Sequence, residues 1–459
     1  MSEGLGVPGC PGCERLQRRV YALEERIDKL EAALEAARRG GKRQAAPFSK
    51  GAPKADPKKP GRKEGKDYGR AERRATPKHV DEILDAPLAS RCPCCRGRVV
   101  EEGVEAQYQT EIRPAQPLVR RFDVHVGHCE DCGKRVQGRH AQQTSDALGA
   151  ACSQLGPDVV AFAAWLHQEL GLPYGKCTAV LAQAFGIEVT AGGLSQALSR
   201  LARRAEPSYA RLFLDVRRSA AVYPDETSAR MNGQRWWLWV FVTAVATVYV
   251  QRPSRGADVI EEVLGKDFKG LMGHDGWAPY DKWSEATHQQ CLAHLIRRAK
   301  DLLETATRGA VRFPRKVKGL LQAALSLRDR FEAGELGEHG FSIARGKLEK
   351  RLTRVLEMHI THGENKKFQA HLDKHADELL TFLYEDVEAT NWPAEQAIRP
   401  AVRFRKTSGG HRSPRGAWTR DVLLSILRTA RQRALDPLQL FARMLRSRNT
   451  VLIPTAAGP

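Results

Sequence analysis

The stretch that decides the fold is residues 220–276, AAVYPDETSARMNGQRWWLWVFVTAVATVYVQRPSRGADVIEEVLGKDFKGLMGHDG. Apolar, β-branched and aromatic residues come here in short runs bounded by turn residues, a pattern of strands rather than helices. Ala220–Tyr223 reads as a strand leading to Asp225. Gly233 marks a turn, and Trp236–Val242 and Val245–Gln251 read as the next two strands. Asp258–Leu264 reads as a short helix, and Gly270–Gly273 as another strand ending at His274-Asp275-Gly276. Two carboxylates, Asp225 and Asp275, thus fall at strand ends that adjacent pairing would bring together. Alone they are unremarkable, because most acids at strand ends are solvated turn residues.

Three strands, a helix, a strand and a helix begin a ribonuclease-H-like α/β fold. The first part of this core is placed at 216–300. From about residue 285 the periodicity is helical to the end. This predicts a large helical insertion over 301–385, a second core part with C-terminal helices over 386–447, and a tail over 448–459. The best third acid is Glu395, in Asn391-Trp-Pro-Ala-Glu-Gln-Ala-Ile-Arg-Pro400, where Pro393 suits the first turn of a helix. Arg399, Arg403, Arg405 and Lys406 follow it, a surround suited to phosphate. Three carboxylates can hold two Mg²⁺ (or Mn²⁺) ions about 3.5–4 Å apart, for in-line displacement at phosphorus. His288, Cys291 and His294 recur at i, i+3 and i+6. On a helix this spacing puts Cys291 in the core and His294 near the acids, a reading preferred to a metal site. His294, Arg297 and Arg298 are expected to contact phosphate. Trp277, Trp392 and Trp418 are expected in the core, with stacking on unpaired bases as the alternative.

Upstream of the core, Cys92, Cys95, Cys129 and Cys132 form two C-x-x-C knuckles, matching a structural Zn²⁺ site in a module spanning 89–140. Cys94 is a spare thiol. A short hairpin is expected between the knuckles, near Val119–Val126. Residues 141–215 read as a helical DNA-binding or connecting region, in which Lys176–Phe185, Gly186 and Leu194–Ala202 resemble a helix-turn-helix. Nearer the N-terminus, Leu16, Val20, Leu23, Ile27, Leu30 and Leu34 make an a/d seam, so residues 1–40 read as a coiled-coil zipper and point to a homo-oligomer. The alternative is one amphipathic helix docked on its own chain. Residues 41–88 are a Pro-, Gly- and Lys/Arg-rich linker, expected to be disordered when free and able to neutralise phosphates. Cys10 and Cys13 form a lone knuckle, expected to be inert.

The composition agrees with a polyanionic partner. The 459 residues carry 74 Lys+Arg against 54 Asp+Glu, a net charge of +20, which excludes an acidic solvating protein. The longest apolar run, Trp236 to Val250, is shorter than the roughly 20 residues needed to span a bilayer. No apolar secretory segment is evident, and seven of the ten cysteines cluster, so a reducing cytoplasmic setting is expected.

These features together resemble the transposases of bacterial insertion sequence 66 (the TnpC type), within the DDE transposase group. The resemblance rests on the zipper, the Lys-Lys-Pro-Gly-Arg run and the two knuckles. In the core it rests on Pro224-Asp-Glu-Thr227, His274-Asp-Gly276, Cys291-Leu-Ala-His-Leu-Ile-Arg-Arg298, Ala394-Glu395, Ile398-Arg-Pro400 and Arg405-Lys406. It implies Asp225, Asp275 and Glu395 as the acidic triad, double-stranded DNA as substrate, small accessory proteins as partners, and association with the bacterial nucleoid. It also implies 3′-end cleavage at terminal inverted repeats, followed by strand transfer. Two departures are visible: Gln396 stands where the family usually has Arg, and Trp392 follows Asn391 where an Asn pair is usual. Competing readings are a zinc-dependent DNA-binding regulator, which would need no acidic triad, and a nuclease on the same fold that cuts without joining.

Overall fold

The computed structural model describes residues 76–112, 115–148, 154–305 and 307–455. The heptad seam, Cys10, Cys13 and the basic linker through residue 75 lie outside the described residues. The chain divides into two compact units, 1–113 and 114–459.

In the first unit, residues 76–112 form neither helix nor extended strand. A tight turn closes at Cys92. Its N–H donates to the Gly97 carbonyl (2.9 Å), and its carbonyl accepts from the Arg96 N–H (2.9 Å). A bridge pairs Arg91 with Arg98.

The second unit opens with β1 (Val126–His128) and β2 (Arg135–Gln137), an antiparallel pair. The hairpin therefore lies later than expected. No strand forms at 119–125, and the turn between β1 and β2 encloses Cys129 and Cys132. The reason is local. The bonds Cys129 N–H to Lys134 O and Gly133 N–H to Cys129 O (2.9 Å each) bring the flanking residues to pairing distance.

Three helices follow, α1 (Pro157–Gln168), α2 (Tyr174–Phe185) and α3 (Ala191–Arg217). Gly186 ends α2 in the left-handed region (φ 65°), and the Thr190 hydroxyl caps α3 by accepting from Gly193 N–H. The central sheet then comprises β3 (Ala221–Met231), β4 (Gln234–Val242), β5 (Thr247–Arg252), β6 (Leu271–His274) and β7 (Thr287–Gln290), with α4 (Ala257–Leu264) between β5 and β6. The order is β5-β4-β3-β6-β7. The first three strands are antiparallel, and β3, β6 and β7 are parallel.

Two strands depart from expectation. β3 runs through Asp225 instead of ending before it. The Asn232-Gly233 turn has positive φ at both residues (47° and 78°), which matches the twist of a hairpin and zips β3 onto β4 from Met231↔Gln234 to Tyr223↔Val242. That pairing overrides the polar Asp-Glu-Thr-Ser composition. β7 forms where helix was expected. Thr287–Gln290 has little intrinsic strand preference, but it pairs with β6, and the Gln289 side chain accepts from Phe382 N–H (2.7 Å). His288 is consequently a strand residue and does not share a helix face with Cys291 and His294.

The remaining elements are α5 (Leu292–Thr305), α6 (Arg312–Glu332), α7 (Glu338–Leu356), α8 (Gly363–Lys374), α9 (Trp392–Ser408), α10 (Pro414–Gln432) and α11 (Pro437–Arg446). The sheet is buried on both faces. Trp239, Phe241, Val248 and Val250 join the core with α1–α4, α10 and α11. Leu238, Val240, Val242 and Tyr249 join the core with α5–α9. This is the period-2 alternation of a strand applied to two apolar faces. Along edge strand β5, α10 supplies a polar stripe. Asp421, Ser425 and Thr429 accept from the N–H groups of Gln251 (2.9 Å), Tyr249 (2.9 Å) and Thr247 (3.0 Å). No helix among the described residues is long and apolar enough to cross a membrane.

Candidate active site

Asp225 and Asp275 are brought together by strand register. β3 and β6 run parallel with Ala221 opposite Leu271 and Val222 opposite Met272, and each acid lies four residues beyond the first pair. Tyr223 packs into the α5–α9 core and Val222 into the opposite one, so alternation aims Asp225 at the face that carries α9. Gly273 lets β6 approach β3 closely here, because a Cβ would meet the Tyr223 ring at 2.7 Å.

Glu395 lies in the first turn of α9, near enough to act on the charge of Asp225. Asn391, immediately before this helix and buried, is the tie. Its side-chain amide donates to Pro224 O (2.7 Å) beside Asp225, its N–H donates to Cys291 Sγ (3.1 Å), and its carbonyl accepts from Glu395 N–H (3.0 Å). The three acids are close enough to interact. Burial first, then repulsion from Glu226, Asp275 and Glu395, pushes the Asp225 carboxyl up to about 7. One Asp225 oxygen accepts from Glu226 N–H (2.9 Å), and one Asp275 oxygen accepts from Trp277 N–H (3.0 Å). The other oxygens remain available. Hard oxygen donors whose mutual repulsion a divalent cation would relieve make this set a fit for Mg²⁺.

A second layer was not anticipated from sequence. Glu226 points to the opposite face, with its side chain only 2% exposed, and binds Arg255 (2.7 Å). Burial raises its carboxyl above the ordinary range, against the pull of Arg255. The Arg255 guanidinium lies over Trp237 (4.7 Å) and Trp277 (4.0 Å). Glu226 and Arg255 therefore hold the turn that carries Asp275. The available signal was an acid directly after Asp225 inside a strand whose neighbours are buried.

On the other side of that turn, Gly276 (φ 87°) donates its N–H to His274 Nδ1 (3.1 Å). Burial drives the His274 imidazole pKa well down, so its ring is neutral and its proton is on Nε2. Nε2–H donates to His288 Nδ1 (2.8 Å), and His288 Nε2–H donates to Trp283 O (2.9 Å). Every ring nitrogen of the pair is used. Although Glu378 lies nearby, no lone pair is left for a metal.

The basic residues sort into two groups. Arg297, Arg399, Arg403 and Lys406 are exposed. Arg405 is half-buried and donates to Thr227 Oγ1 (3.3 Å) and Ser228 Oγ (3.2 Å) on β3. Arg298 stacks on Phe368 (4.7 Å). His294 Nε2 lies 3.9 Å from Glu395 Oε1. Trp277 and Trp418 are partly buried against the core, while Trp392 is 53% exposed beneath Arg399 (5.2 Å).

The two cysteine knuckles, each within its own unit, share one backbone pattern. In each, the first cysteine's N–H reaches a carbonyl five residues on, and its own carbonyl accepts from the N–H four residues on. The residue four on has positive φ in both, Arg96 (60°) and Gly133 (65°). Backbone N–H groups of Cys95 and Cys94 lower the Cys92 thiol, and those of Cys132 and Asp131 lower the Cys129 thiol.

The sequence model of the transposase IS66 family matches residues 152–419, more than half of the chain, including all five strands of the central sheet and Asp225, Asp275 and Glu395. No match was found among the curated proteins. The five-stranded mixed sheet with its helices fits a DDE-type core, and the chain belongs to the IS66 family of transposases.

Proposed function

We propose that this transposase cuts the 3′ ends of its element at terminal inverted repeats and joins them to target DNA, with Asp225, Asp275 and Glu395 holding Mg²⁺. The observation that carries the reading is the placing of three carboxylates on β3, just after β6 and on α9, near enough that Asp275 and Glu395 add to the effect of burial and Glu226 in raising Asp225. When bound, the cations activate the attacking oxygen and neutralise the departing one. Asp225 and Asp275 are oriented for this by the N–H groups of Glu226 and Trp277. Exposed Arg399, Arg403 and Lys406 on α9, together with Arg297 on α5, grip phosphates beside the acids, with His294 close to Glu395. Arg405 and Arg298 are partly committed to Thr227, Ser228 and Phe368, so they steady the surface as well as contact DNA. Water attacks phosphorus and frees a 3′-hydroxyl. That hydroxyl then attacks a target phosphodiester and releases a new 3′-hydroxyl, with no covalent enzyme intermediate.

Cys92 with Cys95, and Cys129 with Cys132, are zinc-binding knuckles in this reading, supported by the geometry that each repeats. The module, the basic linker and the zipper recognise the ends and assemble copies of the chain.

Incubation with Mg²⁺ and DNA carrying the element's ends tests the proposal. Asp275→Asn or Glu395→Gln should lower cleavage and joining on the order of a thousandfold while DNA binding persists. Wild-type cleavage rates in both variants would remove the triad.

A further inference from the structure

We propose that Cys291, His294 and Glu395 form a separate site for one soft divalent cation of the zinc class, which competes with Mg²⁺ for Glu395. The competition rests on the role proposed above for Glu395; the site itself does not. One ligand atom from each residue lies within 4.8 Å of the others. Cys291 sits just before α5 and His294 in its first turn, joined by the bond from His294 N–H to Cys291 O (3.1 Å). Glu395 faces them from the first turn of α9.

Three features point to a ligand. Cys291 is 2% exposed, and its sulfur already accepts the Asn391 N–H (3.1 Å), the kind of bond that steadies a coordinated thiolate. His294 Nε2 lies 3.9 Å from Glu395 Oε1, beyond hydrogen-bond distance, and its buried Nδ1 has no hydrogen-bond partner. The donor set of sulfur, nitrogen and one carboxylate oxygen suits Zn²⁺, where Mg²⁺ takes oxygen alone. Three protein ligands would leave a fourth position open. The nearby His274, His288 and Glu378 group lacks this capacity, because both rings spend their nitrogens on each other, on Gly276 N–H and on Trp283 O. Binding exchanges the thiol proton for the metal: Cys291 S–H and Zn²⁺ give a Zn–S bond and one proton released to solvent. Glu395 is then drawn toward the soft ion and away from Asp225 and Asp275, so zinc inhibits DNA cleavage.

The test uses the full chain as purified, in excess Mg²⁺, with Co²⁺ and then Zn²⁺ as probes. Added Co²⁺ should give a thiolate-to-cobalt charge-transfer band. The band should vanish in Cys291→Ser, weaken in His294→Ala, and persist in Cys129→Ser, which separates it from the knuckles. Zn²⁺ should inhibit cleavage by the wild type, with roughly tenfold more required for Cys291→Ser relative to that variant's own zinc-free rate. Absence of the band from the wild type, or an equal band in Cys291→Ser, overturns the site. Should Cys291→Ser fail to fold, the His294→Ala band decides, and an undiminished one overturns the site. If no protein cleaves DNA, the proposed reaction fails, and the cobalt band still decides this inference.

Discussion

Asp225 illustrates how a buried group of acids strains its own fold. An unfolded aspartate ionises near 3.8, whereas in the native protein burial and acidic neighbours raise it to about 7. The native state therefore holds this proton more tightly. The penalty for ionising Asp225 is absent below about 4, grows as pH rises, and is complete above about 7. Its ceiling is about 4 kcal/mol, shared among coupled acids. Asp225→Asn should accordingly melt at a higher temperature than wild type at pH 8 without divalent metal, with the gain shrinking toward pH 5. A difference in melting temperature independent of pH would refute this account. Asn391 makes a different prediction. Removing its amide in Asn391→Ala leaves the buried Pro224 carbonyl unpaired, costs about 1–3 kcal/mol in urea denaturation, and frees α9 from β3. Asp225, Asp275 and Glu395 were legible as acids near apolar strands and a Pro-started helix. Asn391, Glu226 and Arg255 were not, because their roles depend on partners as far as 167 residues away.

At the level of elements, β3, β4, β5, α4 and β6 were readable from short apolar runs and turn residues. β7 was not, because Thr-His-Gln-Gln carries no such pattern and becomes a strand only against β6. The α10–β5 stripe is equally hidden. Asp421, Ser425 and Thr429 recur every four residues on a helix, while Gln251, Tyr249 and Thr247 recur every two on a strand, and the two repeats have nearly the same length. Together they cover an edge that would otherwise offer unpaired N–H groups. Ser425→Ala should cost about 1–3 kcal/mol, measured by chemical denaturation, through the orphaned Tyr249 N–H. No loss would mean that water or another group replaces the hydroxyl. The knuckles make the parallel prediction for metal. Cys129→Ser should lower the zinc content of the full chain by one ion and weaken binding to the element's ends, and unchanged stoichiometry by elemental analysis would rule out zinc at this knuckle.

At the scale of the whole molecule, we propose that the N-terminal heptads assemble copies of the chain. Deleting residues 14–38 should reduce the mass of the oligomer measured by light scattering, and an unaltered mass would leave the seam without that role. What the amino-acid sequence determined by itself was what is local: the apolar runs of β4 and β5, helical periods, paired cysteines, the turn at Gly233, and a net charge of +20. Periodicity and turn chemistry act over a few residues, so they can be read in one dimension. Only the tertiary structure decided that β3 continues through Asp225, that β7 closes the sheet, and that Cys291, His294 and Glu395 share one spot. Those outcomes depend on pairing and packing between segments up to about a hundred residues apart, where the free energy belongs to the contact and to neither segment alone.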